Sequence, residues 1–335
     1  MGKKLIILGG TGLLGYHTAL LALKKGYEVA SLSINDINLE GWYPKEIKVN
    51  FMDVFEASEE ELTKAMEGYD YMVYAIGPDD RITPPAPSYK FFHERLVNHC
   101  AKAFRAAEKA GVKKGVVFNS YFAYFDRRDP EVHYAEKHPY IRCRVEQAEL
   151  LLKQRKNMEV VILELPYIFG TMPERLPLWK DVFLDRYVNG YKVIFFPKGS
   201  TTMTTVDHVA EAAIGAIEYG KDGERYPIGD ENHSYDFMLN EMTSTILGKP
   251  RKIIHPGKTL CAMGASMIAK KEAKQGRETG LNFKLVMKEI MSKDVVIEES
   301  VMDKVNAELH ISRGGLKEAI HETMRRCYPN PKDFK

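Results

Sequence analysis

The run Lys4 to Leu8 (KLIIL) leads straight into Gly9-Gly10-Thr11-Gly12-Leu13-Leu14-Gly15, and an apolar helical pattern then runs from Leu13 to Lys25. A short, wholly apolar run bounded by glycines reads as a strand buried on both faces. The glycines therefore occupy a strand-to-helix turn. Their spacing is GxxGxxG rather than GxGxxG, but the physical demands are shared. The turn must be tight, the backbone must approach a pyrophosphate, and the helix N-terminus must offer free N–H groups to an anion. Strand, loop and helix in this order confine the chain to nucleotide-binding α/β folds, and the reading is a dinucleotide site.

The two periods keep alternating. Gly26 closes the first helix, and Glu28 to Ile34 (EVASLSI) reads as the second strand. Ile47 to Phe51 is a third strand, Ser58 to Glu67 a helix with Ser58 and Glu61 as capping box, and Tyr71 to Ile76 a fourth strand. Ser88 to Ala110 is a long helix, Gly115 to Asn119 a fifth strand, Tyr140 to Gln154 a helix and Val160 to Glu164 a sixth strand. Such alternation predicts a Rossmann-type, doubly wound parallel sheet. Beyond Pro166 it weakens, although Val206 to Glu218 is a helix pattern and Arg225 to Ile228 a short strand. The expected organisation is a sheet domain over residues 1–170 and about 205–232. A smaller, discontinuous substrate lobe takes 171–204 and 233–335.

At the end of the second strand an acid would bond both ribose hydroxyls of NAD, whereas a small or basic residue leaves room for the NADP phosphate. Ser31 and Ser33 stand there and Asp36 follows, so NADP is slightly favoured over NAD.

Charge and composition exclude other classes. The chain has 335 residues, with Lys+Arg 48 against Asp+Glu 46 and a net charge of +2, too balanced for a nucleic-acid binder. No stretch approaches the roughly 20 apolar residues of a membrane span. The beginning, MGKKLIILGG, has neither a signal-peptide core nor a myristoylation pattern, so the expectation is a soluble cytoplasmic protein. Cys100, Cys143, Cys261 and Cys327 are too scattered for a zinc site or disulfide framework. His17, His310 and His321 read as packing or surface residues, and no metal is expected.

Further motifs extend the pattern: Asp53-Val54 after the third strand, Ala75-Ile76-Gly77 after the fourth, and Asn98 in the long helix. NSYFAY (Asn119 to Tyr124), PYIRCR (Pro139 to Arg144), LPYIFG (Leu165 to Gly170) and TTVDHVA (Thr204 to Ala210) follow. In order and spacing the whole chain resembles the extended short-chain dehydrogenase/reductase superfamily, also called the NAD-dependent epimerase/dehydratase family. In character it is nearest the dihydroflavonol-reductase and hydroxysteroid-dehydrogenase branch. The resemblance implies that Gly9, Thr11, Gly12, Leu13, Leu14 and Gly15 hold the pyrophosphate. It implies that Asp53 bonds the adenine amino group, that Val54 packs on the ring, and that Ala75 to Gly77 line the cofactor. Pro166, Tyr167 and Ile168 would flank the nicotinamide.

Family members act through a Ser/Thr, a Tyr and a Lys four residues after the Tyr. The matching positions are Ser120, Tyr140 and Arg144. Tyrosine titrates near 10, so a cation one helical turn away is expected to lower it. Arginine is permanently charged and cannot relay a proton as lysine can. Tyr134, followed by His138, is the weaker phenol candidate.

The expected activity is an NAD(P)-dependent interconversion of a carbonyl and an alcohol on a small, fairly apolar substrate. The apolar reading rests on Leu260, Met263, Met267 and Ile268. The basic run Lys270 to Lys274 reads as a solvated face, with membrane-surface contact as the lesser reading. Sugar-nucleotide epimerases commonly place an arginine before the VDD-like segment, but residues 199–207 contain none. Arg175 or Lys198 could substitute, so an epimerase or dehydratase stays as the alternative. A catalytically inactive NAD(P)-binding sensor or partner protein is the second. A homodimer through the two long helices is a further expectation of the resemblance.

Overall fold

The computed structural model describes residues 2–335. The chain begins with β1 (Lys4–Leu8), α1 (Leu13–Lys24), β2 (Glu28–Ser33), β3 (Lys48–Phe51), α2 (Glu59–Met66) and β4 (Tyr71–Tyr74). Then come α3 (Ser88–Phe92), a π-helical turn (His93–Asn98), α4 (His99–Lys109), β5 (Lys114–Ser120), α5 (Tyr121–Arg128), α6 (Tyr134–Lys137), α7 (Pro139–Gln154) and β6 (Glu159–Leu165). The middle carries β7 (Tyr167–Phe169), α8 (Asp185–Tyr187), β8 (Val193–Phe195), β9 (Ser200–Thr205), α9 (Val206–Glu218) and β10 (Arg225–Pro227). Last are β11 (Glu231–Ser234), α10 (Tyr235–Leu247), β12 (Lys252–Ile254), α11 (Lys258–Ala273), α12 (Phe283–Glu289), β13 (Asp294–Val295), α13 (Glu299–Leu309) and α14 (Leu316–Cys327).

Seven strands form one parallel sheet in the order β10–β6–β5–β4–β1–β2–β3. Such a sheet is covered on both faces, which is why its central strands are apolar throughout. In β1, Leu5 and Ile7 enter the core beneath α1 and α9, while Ile6 and Leu8 enter the opposite core beneath α2, α4 and α7. The chain order reverses between β1 and β4. A crevice opens there at the carboxyl ends of the strands.

Local chemistry sets the element ends. Gly26 adopts φ +81°, and the N–H of Tyr27 returns to the Ala22 carbonyl, closing α1 with a left-handed cap. Ser58 and Glu61 form the capping box of α2. Two features depart from the sequence reading. The long helix is interrupted by the π turn, which buries Leu96 and Val97 and leaves Asn98 exposed. One extra residue in a helical turn leaves no mark on an apolar period. A helix that the sequence reading did not mark also follows β5, where Ser120 accepts from the Phe122 N–H and starts α5.

A second sheet, β11–β9–β13 with β7 beside β9, continues from the carboxyl end of β6. β8 and β12 form a separate pair. Phe169, Trp179, Phe183, Tyr235 and residues of α14 make the core of this lobe. Val305 and Leu309 of α13, with Ile311, return to the core under α1 and α9. Among the described residues no helix is long and apolar enough to cross a membrane.

Candidate active site

The loop between β1 and α1 is built for close backbone approach. Gly9 has φ +88°, and a side chain there would lie 2.8 Å from the Ala75 carbonyl oxygen. A Cβ on Gly15 would stand 2.2 Å from the Gly9 carbonyl oxygen, so α1 can leave the loop only at a glycine. Gly12 is the N-cap of α1; no side chain caps the helix and its first turn holds no acid. Its first N–H groups are open to an anion at the topological switch point, which fits a dinucleotide pyrophosphate. Ala75 and Ile76 wall the same loop.

Ser31 and Ser33 are turned into the loop rather than outward. Their hydroxyls bond each other at 2.7 Å, Ser33 accepts from the Thr11 N–H at 3.2 Å, and Tyr43 donates to the Gly10 carbonyl at 2.9 Å. Beyond β2 the exposed acid is Asp36, whose carboxylate is gripped by the Arg175 guanidinium at 3.0 and 3.1 Å. Sequence reading had offered Arg175 as a substrate-diphosphate ligand; the structure spends it on Asp36. His17 ties the same segment down, bonding the Thr171 carbonyl at 2.8 Å and Asp207 at 3.0 Å.

Asp53 is exposed and accepts from the Phe55 N–H. Val54 lies in the core beside Ile6 and Leu8. Asn98 donates to Glu94 at 2.7 Å, so its amide is already engaged. Pro166 is buried, while Tyr167 and Ile168 are partly exposed in β7.

At the opposite end of the crevice Tyr140 and Arg144 lie one turn apart on α7. Arg144 Nε donates to the Tyr140 phenolic oxygen at 2.9 Å. Its Nη1 donates to the Phe118 carbonyl at 3.1 Å and to Gln147 Oε1 at 3.0 Å. Asn119 donates to the Arg144 carbonyl and to Gln147, and accepts from the Ser120 N–H at 2.6 Å. The network therefore links β5, where Ser120 sits, to the Tyr140 turn. Ser120, Tyr140 and Arg144 are 6%, 4% and 8% exposed.

Burial pushes the Tyr140 phenol up to about 12; Arg144 lowers it, while Asp80 and Asp79 raise it further. This corrects the expectation of a depressed phenol, because desolvation of the phenolate outweighs the guanidinium. Tyr134 is likewise raised by burial to about 12, and His138 rather than an arginine or lysine stands four residues after it. His138, pushed down to about 4 by burial, accepts the Asn282 N–H and stays neutral.

Sequence reading missed the turn Asp79-Asp80-Arg81, just after Ala75-Ile76-Gly77. Arg81 forks onto Asp79 at 2.6 and 2.7 Å and stacks 4.7 Å over Trp179, whose indole N–H is fixed on the Ile168 carbonyl. Arg81 Nη1 has no partner among the described residues. Burial and the neighbouring Asp79 raise Asp80 to about 7, with Arg81 opposing them. The signal was available: three charged residues following an apolar strand at the carboxyl edge of the sheet. Charged side chains thus meet the rings of Tyr167 and Trp179 at this edge of the sheet. Among the described residues no three His, Cys, Asp or Glu side chains gather as metal ligands.

Residues 9–171 match the NAD(P)H-binding family. No curated protein matches the chain in sequence. Among solved structures, gox2253 is similar with TM-score 0.73 and 19% identity, over 97% of this chain and 98% of that one. WbmH of Bordetella bronchiseptica, solved with NAD+, gives 0.69 and 15% over 97% and 99%. UDP-glucuronic acid 4-epimerase of Bacillus cereus, solved with NAD, gives 0.65 and 15% over 97% and 99%. Fold and loop together define a Rossmann protein with an NAD(P)H-binding domain. The chain shares its fold with these solved structures, and its first half carries the NAD(P)H-binding domain.

Proposed function

We propose that the protein is an NAD(P)-dependent oxidoreductase that interconverts an alcohol and a carbonyl on a small polar substrate, with Tyr140 as proton donor to the substrate oxygen. The carrying observation is the 2.9 Å bond from Arg144 Nε to the phenolic oxygen. Because the guanidinium donates to that oxygen, the phenol's own hydrogen is left to point at a ligand. Bound NAD(P) supplies the two-electron redox chemistry. The chain supplies the proton from Tyr140, a hydroxyl from Ser120 to polarise the oxygen, and Arg144 to balance the charge that develops there. Asp80 and the spare N–H of Arg81 offer an acceptor and a donor to substrate hydroxyls, which supports a polar substrate over an apolar one.

NADP is the favoured cofactor in this reading. The acid beyond β2 is neutralised by Arg175, and a guanidinium beside it suits an adenosine 2′-phosphate.

The second reading is a nucleotide-sugar epimerase, supported by similar folds among sugar-nucleotide epimerases. Against it stands the shortage of a diphosphate ligand. β9 and its flanks lack arginine, Arg175 stands beside Asp36 beyond β2 rather than near Tyr140, and Lys198 lies exposed.

The test is NADPH and NADH oxidation against a carbonyl panel of keto-sugars, small aldehydes, flavanonols and steroids, with Tyr140→Phe in parallel. The expected result is turnover lost by about 10²- to 10⁴-fold in the variant with cofactor affinity kept. Unchanged turnover rules out the assignment, whereas copurified NAD with saturable UDP-sugar binding favours the epimerase.

A further inference from the structure

The lobe carries a helix that its own fold barely covers. α11 spans Lys258–Ala273, yet only Ala262 and Ala265 of its residues are buried. Leu260, Met263 and Met267 are 63%, 60% and 72% exposed, and the position of a Cβ on Gly264 is open. Positions 260, 264, 267, 271 and 274 repeat at helical spacing, so one exposed stripe is apolar in its first half and cationic in its second. Lys258, Lys270, Lys271 and Lys274 are exposed, and none forms an ion pair among the described residues. The only acid of the helix, Glu272, faces inward to Arg186 at 3.3 Å and Arg277 at 3.5 Å. One side of α11 packs on α12, and the side with Leu260, Met263 and Met267 stays open.

We propose that the exposed face of α11 docks on the surface of an anionic lipid bilayer. Leucine and methionine side chains enter the headgroup boundary, and the unpaired lysines meet the negative headgroups. The charge pattern selects this occupant over a second copy of the chain. A two-fold pairing centred on Gly264 sets the lysine at one end of one helix against those at the far end of the other, and a parallel pairing sets lysine on lysine.

The face is mechanically tied to the crevice. Just past its last turn, the Gly276 carbonyl accepts from the Ala86 N–H and Arg277 donates to the Thr83 carbonyl, both at 2.9 Å. The Gly280 carbonyl then accepts from the Tyr140 N–H at 2.8 Å. A docked α11 therefore holds the Tyr140 turn close to the bilayer surface.

The experiment is co-sedimentation of the whole chain with vesicles of phosphatidylcholine alone and of phosphatidylcholine mixed with phosphatidylglycerol. Sedimentation velocity without lipid accompanies it. Binding is expected only to the mixed vesicles, weakening with salt and by about tenfold or more in both Met263→Glu/Met267→Glu and Lys270→Gln/Lys271→Gln/Lys274→Gln. All five positions are exposed, so the circular dichroism and melting temperature of the variants should match the parent. Absence of binding to the mixed vesicles, or equal binding by both variants, overturns the proposal. So does a dimer in solution that Met263→Glu/Met267→Glu dissociates, which would assign the face to a second copy.

Discussion

With burial holding the Tyr140 phenol up to about 12, only about one molecule in 10⁵ carries phenolate at neutral pH. A protonated phenol can donate to a carbonyl oxygen at once, whereas removing an alcohol proton needs the phenolate. Alcohol oxidation should therefore accelerate by roughly tenfold per pH unit between neutrality and pH 10, while reduction loses no donor over that range. Parallel pH profiles of the two directions check this. A flat oxidation profile would remove Tyr140 as the proton acceptor.

Asp80 gives a second prediction with its own sign. Its folded pKa is raised, to about 7, above the ordinary carboxylate value. The stability it contributes is complete below the unfolded pKa and is lost as pH rises through the folded one. Asp80→Asn loses nothing on that climb. Its melting temperature relative to wild type should be higher at about pH 8 than at about pH 5, and a difference that does not change with pH would refute the titration.

At the scale of elements, the segment after β7 matters most. It runs from Pro166 to Ile168, the expected nicotinamide end, past His17 on α1, to Asp36 beyond β2, where Arg175 closes it. One strand exit thus reaches both ends of the expected dinucleotide. Arg175→Ala should lower the ratio of kcat/KM for NADPH over NADPH's dephosphorylated counterpart NADH by about tenfold, chiefly through KM for NADPH. Steady-state kinetics with the two cofactors decide it, and an unchanged ratio leaves Arg175 a structural latch. The π turn is the other element of note. It packs Leu96 against Gly77, where a Cβ would lie 2.8 Å from Leu96 Cδ2 and 4.0 Å from Arg144 Nη2. The irregular helix and the glycine together let α7 bring its guanidinium to the strand ends.

Over the whole molecule, the sheet and its helices were legible in the sequence because each depends on local rules. Apolar runs mark strands buried on two faces, glycines mark left-handed turns, and Ser58 with Glu61 marks a helix start. The GGTGLLG loop was legible for the same reason, since a Cβ at Gly15 is forbidden by its own neighbours in the chain. The Tyr140–Arg144 contact was legible too, being one turn of a helix. What only the tertiary structure decided lies between elements distant in the chain. Arg175 is paired with Asp36 through a contact 139 residues apart, and no period encodes such a pair. Asp80 and Arg81 face Tyr140 and Trp179 because β4, α7 and the lobe converge at one sheet edge. The direction of the Tyr140 shift belongs with them: the sequence shows the cation four residues away, but desolvation is set by everything packed around the ring, and that term is the larger one.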